Sequence, residues 1–489
     1  MVVALPLAAA LAAAALSGAA APDLVLTGTI EGMDHQTYRE APFDVPRGVS
    51  RVTIRFDYDK TDHTVIDLGL FDPERFRGWS GGSKLLLTLS PSDATPSYLP
   101  GPVLPGRWRL LMGVPNARAG SHSTYRARVW FDRDGSHVAS DAATPPPLRT
   151  DPAWYRGDLH MHSAHSDGSC LSQSGVRVPC PTYRTVEAAA AANLDFIALS
   201  DHNTVAHFND LREIQPYFDK LLLIPATEIT TFHGHVQAIG LDRFIDFRLG
   251  TPAVPNPDAL ADEAARAGAI LSINHPGSPS GELCLGCGWT APATDYDRFQ
   301  AVEAVNGRNA DGPLSGMPFW YARLNEGHHL TGVGGSDSHD PDAPDGKPPV
   351  GYPTTVVHAD GLSQAAILEG IRAGNVFIDT QGTPDRLLEA DAHAGNDRAS
   401  MGGTIDIGRG PLMVDVHVAH ATGAKLEVVH LGEPVPSETV PVTETDMHRT
   451  IVLAPKHACG WIAMNVRDGH DALLLVGNPI YVRCGRTSH

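Results

Sequence analysis

Residues 156–168 read RGDLHMHSAHSDG, and this stretch decides the fold that the sequence predicts. The run YRGDLH has the pattern of a short buried strand, and His160 and His162 lie at its end, two residues apart. Because alternate residues of a strand point to the same side, the two imidazoles can reach one ion together. The stretch therefore predicts a strand that ends in a metal-binding pair.

The same arrangement recurs along the chain, where further apolar runs end in polar side chains. These polar positions are Asp201 and His202 after DFIALS, Glu228 in LLLIPATE, His233 just before and His235 at the start of HVQAIG, His275 in AILSINH, and Asp337 and His339 in VGGSDSH. Helical stretches alternate with these runs, and PDALADEAARAG and LSQAAILEGIRAG end in a glycine suited to a C-cap. The alternation predicts an α/β fold with a mostly parallel sheet, whose C-terminal strand ends converge if it closes into a barrel.

These residue types favour a metal centre. Imidazole and carboxylate ligands suit Zn²⁺, Mn²⁺ or Fe²⁺ better than Mg²⁺ or Ca²⁺, and the two oxygens of Glu228 can bridge two ions. A single His-x-His pair is more often an ordinary pair of surface or core residues. Five such motifs, each beside the end of a predicted strand, favour a metal site. A structural metal is the alternative, although closed structural sites usually use four ligands, often cysteines.

The N-terminus and the cysteines predict an exported protein. Residues 2–21, VVALPLAAALAAAALSGAAA, read as a signal peptide, assigned to residues 1–21, and no other stretch is long enough for a permanent membrane span. The expected location is secreted or periplasmic. The six cysteines fall in three nearby pairs, which suggests disulfides, although the sequence allows about 15 pairings. Cys284 and Cys287 could instead form half of a zinc site, but a second Cys-x-x-Cys is missing.

Composition shifts divide the chain into further domains. Short β-rich runs punctuated by Gly, Pro, Asp and Ser predict a sandwich-like β-domain over 22–138, followed by a Pro-rich linker over 139–153. The metal-ligand pattern occupies 154–385, and residues 386–489 return to strands that predict a second sandwich-like β-domain. With 37 Lys and Arg against 56 Asp and Glu, a net charge of −19 disfavours a nucleic acid polymer as partner. The oligomeric state is left open.

Five motifs carry a resemblance to a known family. RGDLHMHSAHSDG, FIALSDHNT, PATEITTFHGH, SINHPG and GGSDSHD resemble, in the same order, the motifs of the polymerase-and-histidinol-phosphatase (PHP) metallohydrolase superfamily over residues 154–380. The export signal and the flanking β-domains resemble its carbaryl-hydrolase-like (CehA/McbA) branch. The resemblance implies a distorted (β/α)7 barrel, flanked here by N-terminal and C-terminal β-sandwich-like domains, with two or three divalent metal ions.

The resemblance also implies ligands and a reaction. The implied ligands are His160, His162, Glu228 and Asp337 at a first metal, Glu228, His235 and His275 at a second, and Asp167, His202 and His339 at a third. The implied reaction is hydrolysis by a metal-activated water, with a phosphate ester as the leading small-molecule substrate. His202 or His339 would protonate the leaving group, and Arg308 would position an anionic substrate unless it is simply an exposed loop residue.

Two other functions remain open from the sequence. The same ions could polarise a carbonyl, which would make the chain a carbamate, amide or ester hydrolase. Alternatively, the β-domains could bind a polymer or surface while the barrel serves as a metal-dependent binding module without turnover. The enzyme interpretation is favoured because none of the core motifs looks degraded.

Overall fold

The computed structural model describes residues 21–133, 146–241, 243–280, 284, 286–342, 346–408 and 410–485. Within this part the chain divides into two compact units, one of residues 21–90 with 102–133 and one of residues 91–101 with 146–485. The predicted signal peptide, apart from residue 21, and the first part of the predicted linker lie outside the described residues. None of the described helices combines the length and apolarity that a bilayer span requires.

The first unit is built from strands, as its alternating sequence predicts. Its strands are β1 (Leu24–Glu31), β2 (Thr37–Val45), β3 (Val49–Tyr58), β4 (Val65–Phe71), β5 (Phe76–Gly81), β6 (Leu86–Leu89), β7 (Gly106–Asn116) and β8 (His122–Arg133). They form two four-stranded antiparallel sheets, in the orders β1-β8-β3-β6 and β2-β7-β4-β5. Alternate residues are buried, for example Ile54 and Phe56 on β3 and Trp108 and Leu110 on β7, so each sheet has one apolar face.

The second unit begins with the region that carries the metal-ligand motifs. Its strands are β9 (Ala153–Asp158), β10 (Ser169–Leu171), β11 (Arg177–Pro179), β12 (Phe196–Leu199), β13 (Leu222–Thr231), β14 (Gly234–Ile239), β15 (Ile270–Ile273), β16 (Ala301–Asn306), β17 (Thr331–Gly335), β18 (Thr354–Ala359) and β19 (Val376–Asp379). Its helices are α1 (Thr182–Ala191), α2 (His207–Ile214), α3 (Pro257–Arg266), α4 (Met317–Asn325) and α5 (Gln364–Arg372).

Two of the helices have capped starts and end close to the glycines that their sequence predicts. The side chains of Asn256 and Ser363 cap α3 and α5 by accepting hydrogen bonds from backbone N–H groups one turn later. Just beyond their ends, Gly268 and Gly374 have φ values of 68° and 70°. Glycine adopts this left-handed conformation without steric penalty, which explains why both helices stop there.

The remaining strands run from residue 387 to residue 484. They are β20 (Leu387–Ala394), β21 (Asp397–Ser400), β22 (Thr404–Gly408), β23 (Leu412–Ala419), β24 (Lys425–His430), β25 (Glu433–Pro434), β26 (Val440–Pro441), β27 (Asp446–Leu453), β28 (Gly460–Arg467), β29 (Leu473–Gly477) and β30 (Ile480–Cys484). Strands β20, β21, β23 and β27 form a separate four-stranded sheet, and β19 pairs with β29. The predicted C-terminal β-domain thus lies inside the second unit, and its boundary at residue 385 stays a prediction.

The mixed α/β prediction is confirmed, whereas the predicted (β/α)7 barrel is not shown. Apart from β10 and β11, which form a separate two-stranded sheet, the strands of the motif region belong to a 16-stranded sheet in the order β17-β16-β15-β14-β13-β12-β9-β18-β19, which continues into β29, β28 and β24. Strands β9, β12 and β13 are parallel, and so are β15, β16 and β17, but β14 runs antiparallel to both of its neighbours. Only residues 232 and 233 separate β13 from β14, and so short a connection can join only antiparallel strands.

Backbone contacts bring several strand ends together at one edge. The N–H of Asp337 donates to the carbonyl of His160 at 2.8 Å, and the N–H of His162 donates to the carbonyl of Ser338 at 3.0 Å. The segments that follow β9 and β17 therefore lie side by side. In the same way, a parallel bridge joins His202 to Glu228. The polar residues that follow these strands meet at this edge of the sheet.

Candidate metal centre

The structure brings all the predicted metal ligands into four overlapping groups. In each group the candidate ligand atoms lie within 4.8 Å of one another. The groups are His162, Asp167, His202 and His339; His160, His162 and Asp337; His160, Glu228 and His275; and His202, Glu228 and His235. Shared members join the groups, so together they form one cluster, which we call the central cluster.

Glu228 lies at the middle of the central cluster, and its side chain is buried. Five imidazoles approach its two carboxylate oxygens at 3.0–3.4 Å. Oε2 faces His160 Nε2, His162 Nε2 and His202 Nδ1, whereas Oε1 faces His235 Nδ1 and His275 Nε2. One carboxylate thus contacts two sets of imidazoles, which is the arrangement a bridging ligand requires.

Several buried atoms of this cluster make no well-directed hydrogen bond within the described part of the chain, although some lie 3.2–3.4 Å from one another. They are the Nε2 atoms of His160, His162 and His235, the Nδ1 atom of His275 and Oε2 of Glu228. A buried polar atom left without a partner costs about 1–3 kcal/mol, so five of them so close together need a compensating ligand. Divalent cations that accept nitrogen and oxygen ligands, such as Zn²⁺, Mn²⁺ or Fe²⁺, fit this donor set.

One group of the central cluster opens to solvent. Oδ1 of Asp167 lies 3.3 Å from His339 Nε2 and 3.7 Å from His202 Nε2, and the side chain of Asp167 is 59% exposed. The rings of His162 and His339 stack with their centroids 4.1 Å apart. This group, which we call the mouth group, is where a substrate can reach the buried histidines.

The loop that carries Asp167 is held on both sides. Asp201 accepts hydrogen bonds from the backbone N–H and the hydroxyl of Ser163, and another from the hydroxyl of Ser166. On the other side, the N–H of Cys180 donates to Gly168, and Cys180 forms a disulfide with Cys170. Asp201 thus supports the loop and belongs to none of the four groups.

The other cysteines are paired as neighbours too. Disulfides join Cys284 to Cys287 and Cys459 to Cys484. In the structure Cys284 and Cys287 therefore form a disulfide and not half of a zinc site. Disulfides persist in compartments outside the reducing cytosol, and export stays a prediction.

A second layer of buried side chains supports the ligands, and sequence reasoning missed its main member. Glu303, on β16, lies 2.9 Å from Nδ1 of His160 through Oε1 and accepts a hydrogen bond from the N–H of His275 through Oε2. Asn306 donates to both Glu303 and Asp337. The sequence did contain a signal for this residue, which is a glutamate inside the apolar run AVEAVN. A buried carboxylate is costly unless it is paired, so such a glutamate indicates a buried partner.

Asp158 provides a second internal support. Its carboxylate accepts hydrogen bonds from the backbone N–H groups of His160, Ser336 and Gly351 at 2.7–3.1 Å. Burial raises the pKa of Asp158, although these hydrogen bonds oppose the shift. Asp158 therefore ties the end of β9 to the segments on either side of it.

The remaining candidates lie outside the central cluster. Arg308 is exposed, donates to the carbonyl of Lys347 and stacks over the ring of Tyr352. Nε2 of His165 lies 2.8 Å from Oδ2 of Asp210, and His233 is exposed, so neither belongs to the cluster. The structure therefore assembles the predicted ligands but does not place Arg308 among them.

The charges of the cluster shift the pKa values of its members. Burial alone would raise the pKa of Glu228 and Asp337, but the neighbouring imidazoles, first among them His160, hold both well below their ordinary range. Burial would lower the pKa of His339, but its contact with Asp167 and the charge of Asp337 raise it to about 9. Without metal, the cluster therefore retains protons that metal ions would have to displace.

This shift predicts how stability depends on pH when metal is absent. A histidine whose pKa is higher in the folded than in the unfolded protein stabilises the folded state. This stabilisation is complete at a pH below the unfolded pKa of about 6.5, and it is lost as the pH rises through the folded pKa of about 9. We expect the metal-free protein to lose on the order of 1 kcal/mol from His339 between pH 6.5 and 9. Urea denaturation with a chelator present measures this loss. An identical pH dependence in His339→Gln would contradict it.

Comparisons with known proteins give little further support. No family model and no curated protein matches the chain. A solved two-domain protein from Bacteroides vulgatus, containing a predicted PHP-like metal-dependent phosphoesterase, is 19% identical, with 67% of this chain and 94% of that chain covered and a TM-score of 0.38. An arabinose-bound α-L-arabinofuranosidase is 9% identical, with 84% and 83% covered and a TM-score of 0.16. At these TM-scores neither likeness carries an argument, so the family remains a proposal.

Proposed function

We propose that this chain is a metal-dependent hydrolase of the PHP type that acts on phosphate esters. The observation that carries the proposal is the buried carboxylate of Glu228 surrounded by five imidazoles, several of which present unpartnered nitrogen atoms. A purely structural site would be closed, whereas the mouth group reaches solvent. The choice of phosphate esters rests on the resemblance of the sequence motifs, and the choice of the carbaryl-hydrolase-like branch rests on the export signal and the flanking β-domains.

The residues of the central cluster divide between holding metal and forming the entrance. By the resemblance, two or three ions would be held by His160, His162, Glu228 and Asp337, by His235 and His275 with Glu228, and by Asp167, His202 and His339. In the structure His235 groups with His202 and Glu228, and His275 groups with His160 and Glu228. When bound, divalent ions supply positive charge that polarises a substrate oxygen and lowers the pKa of water towards neutrality. The precise metal, Zn, Mn or Fe, is not distinguished by this ligand set.

The protein itself would position the substrate and handle its protons. His202 and His339 lie at the mouth, with side chains 26% and 32% exposed. If two ions are bound and neither imidazole holds a third, each can deliver a proton to a leaving group from Nε2. Nδ1 of His339 lies 2.9 Å from the backbone carbonyl of Asp337, and Nδ1 of His202 lies 2.6 Å from the hydroxyl of Thr230. These contacts orient both rings with Nε2 towards Asp167.

A substrate panel tests the proposal. Protein purified and loaded with Mn²⁺ or Zn²⁺ would be assayed on nitrophenyl phosphate, bis-nitrophenyl phosphate and nitrophenyl acetate. We expect turnover of at least one phosphate compound, which is lost in His160→Ala/His162→Ala and retained in His470→Ala, an exposed control. Turnover of the aryl ester alone would favour the carboxyl-type alternative, and no turnover with any metal would favour a binding module.

Arg308 gives a narrower prediction. If its guanidinium helps to attract an anionic substrate, Arg308→Ala should raise KM for nitrophenyl phosphate by about two- to fivefold and leave kcat unchanged, because exposed charges contribute little. Increasing salt should reduce the difference between the variant and the wild type. An unchanged KM at low salt would remove Arg308 from the substrate site.

We also propose that the protein is exported to the periplasm or the cell exterior. The support is the apolar, alanine-rich N-terminus together with three disulfides. The partner implied by this function is a small molecule and not a polyanion, because the net charge is −19.

A further inference from the structure

The four-stranded sheet of β21, β20, β23 and β27 carries a second group of histidines and acids. On its inner face, residues such as Val416 and Val418 are buried in an apolar core. On the other face, Glu389, His417 and His448 form one row across three strands, because Glu389 pairs with His417 and His417 pairs with His448. Directly paired side chains of a sheet lie close enough to interact.

The side chains of this row converge on one carboxylate. Nε2 of His417 lies 2.6 Å from Oδ1 of Asp446, and Nε2 of His448 lies 3.7 Å from the same oxygen. The two imidazole rings stack with centroids 4.0 Å apart. Ligand atoms around a tetrahedral zinc ion lie about 3.3 Å apart at bond lengths of about 2.0 Å, so these three atoms need to move little to share an ion.

A supporting residue fixes the orientation of His417. Its Nδ1 lies 2.8 Å from Oε2 of Glu389, and the other oxygen of Glu389 accepts a hydrogen bond from the indole N–H of Trp154 at 2.7 Å. A carboxylate that receives the Nδ1 proton leaves the lone pair on Nε2, and metal-binding histidines are commonly held in this way. Without an ion, a proton on Nε2 of His417 satisfies its 2.6 Å contact with Oδ1 of Asp446, and a bound metal ion would take the place of that proton.

We propose that His417, Asp446 and His448 form a second metal site, for a divalent transition-metal ion of the Zn²⁺ or Cu²⁺ class. Two imidazoles and one carboxylate match the ligand preferences of these ions, and alkaline-earth ions prefer oxygen ligands. The side chains of Asp446 and His448 are each 70% exposed, so a fourth position is open to water. An ion here would join β23 to β27, which is the last strand of its sheet.

This site shares no residue with the central cluster, so the two can be tested separately. The full-length protein, His417→Ala, His448→Ala and the exposed control His470→Ala would be dialysed against Zn²⁺ and analysed for bound zinc. We expect His417→Ala and His448→Ala each to bind one zinc equivalent fewer than the wild type and His470→Ala. Hydrolysis of nitrophenyl phosphate should be the same in all four proteins.

A second measurement guards against a variant that fails to fold. His448 lies on the exposed face of its strand, so its alanine variant should keep the near-ultraviolet circular dichroism spectrum of the wild type. Added Zn²⁺ should raise the Tm of the wild type more than that of His448→Ala. Equal zinc content and an equal rise in Tm in the two proteins would overturn the proposal.

Discussion

Replacing Glu228 by glutamine is expected to lower the rate of hydrolysis by at least about 10³-fold and to reduce the bound metal. The substitution preserves the size of the side chain but removes the negative charge that faces five imidazoles. The amide also presents hydrogens where two sets of nitrogen atoms require an anion. Because Glu228 is the only residue shared by the two groups that contain His275 and His235, its loss disturbs both.

The measurement is kcat on nitrophenyl phosphate at saturating Mn²⁺ or Zn²⁺, together with metal content. Glu326→Gln is the matched control, because Glu326 is an exposed glutamate that pairs with Arg323. The control should retain the activity and metal content of the wild type. Activity of Glu228→Gln within tenfold of the wild type, with full metal content, would show that Glu228 does not bridge the site.

Glu303→Gln is expected to weaken metal binding by about 10- to 100-fold, the usual cost of losing a carboxylate that orients a ligand. Glu303 is a positioning residue, since it holds His160 through Nδ1 and the backbone of His275. Glutamine retains a donor and an acceptor but loses the charge that favours the required tautomer of His160. A large excess of metal should therefore restore most of kcat.

This recovery separates positioning from a general structural effect. The readouts are the metal concentration for half-maximal activity and kcat at saturation, compared between the wild type, Glu303→Gln and Glu326→Gln. A shifted metal requirement with nearly normal kcat supports the positioning role. A kcat that stays low at any metal concentration, with an unshifted metal requirement, would contradict it.

Local patterns located several of the ligands because these residues follow short apolar runs. His160, His275 and Asp337 lie just beyond β9, β15 and β17, whereas Glu228 lies within β13, and the structure brings the four together. Glu303 was missed because it lies inside its apolar run, where its partner His160 is 143 residues away in the sequence. Such a pairing depends on tertiary structure, which local periodicity does not contain.

The topology was harder to predict than the positions of the strands. The two-residue connection at residues 232 and 233 reverses the chain between β13 and β14, but the surrounding pattern resembles that of parallel strands. The pairing of β19 with β29 joins residues about a hundred positions apart, so no local signal showed that the C-terminal strands extend the same sheet. The second histidine group depends on the register of β23 and β27 in the same way.

The most direct test of the account is the metal content of protein purified without added metal, followed by removal and return of the metal. The central cluster predicts at least two equivalents of Zn, Mn or Fe per chain in wild type. The double variant His417→Ala/His448→Ala is measured beside it, so that an ion at the second site is not included in this count. The central cluster also predicts that a chelator abolishes phosphate ester hydrolysis and that one of these metals restores it. Protein that contains no such metal, binds none on dialysis and keeps its activity in chelator would contradict the account.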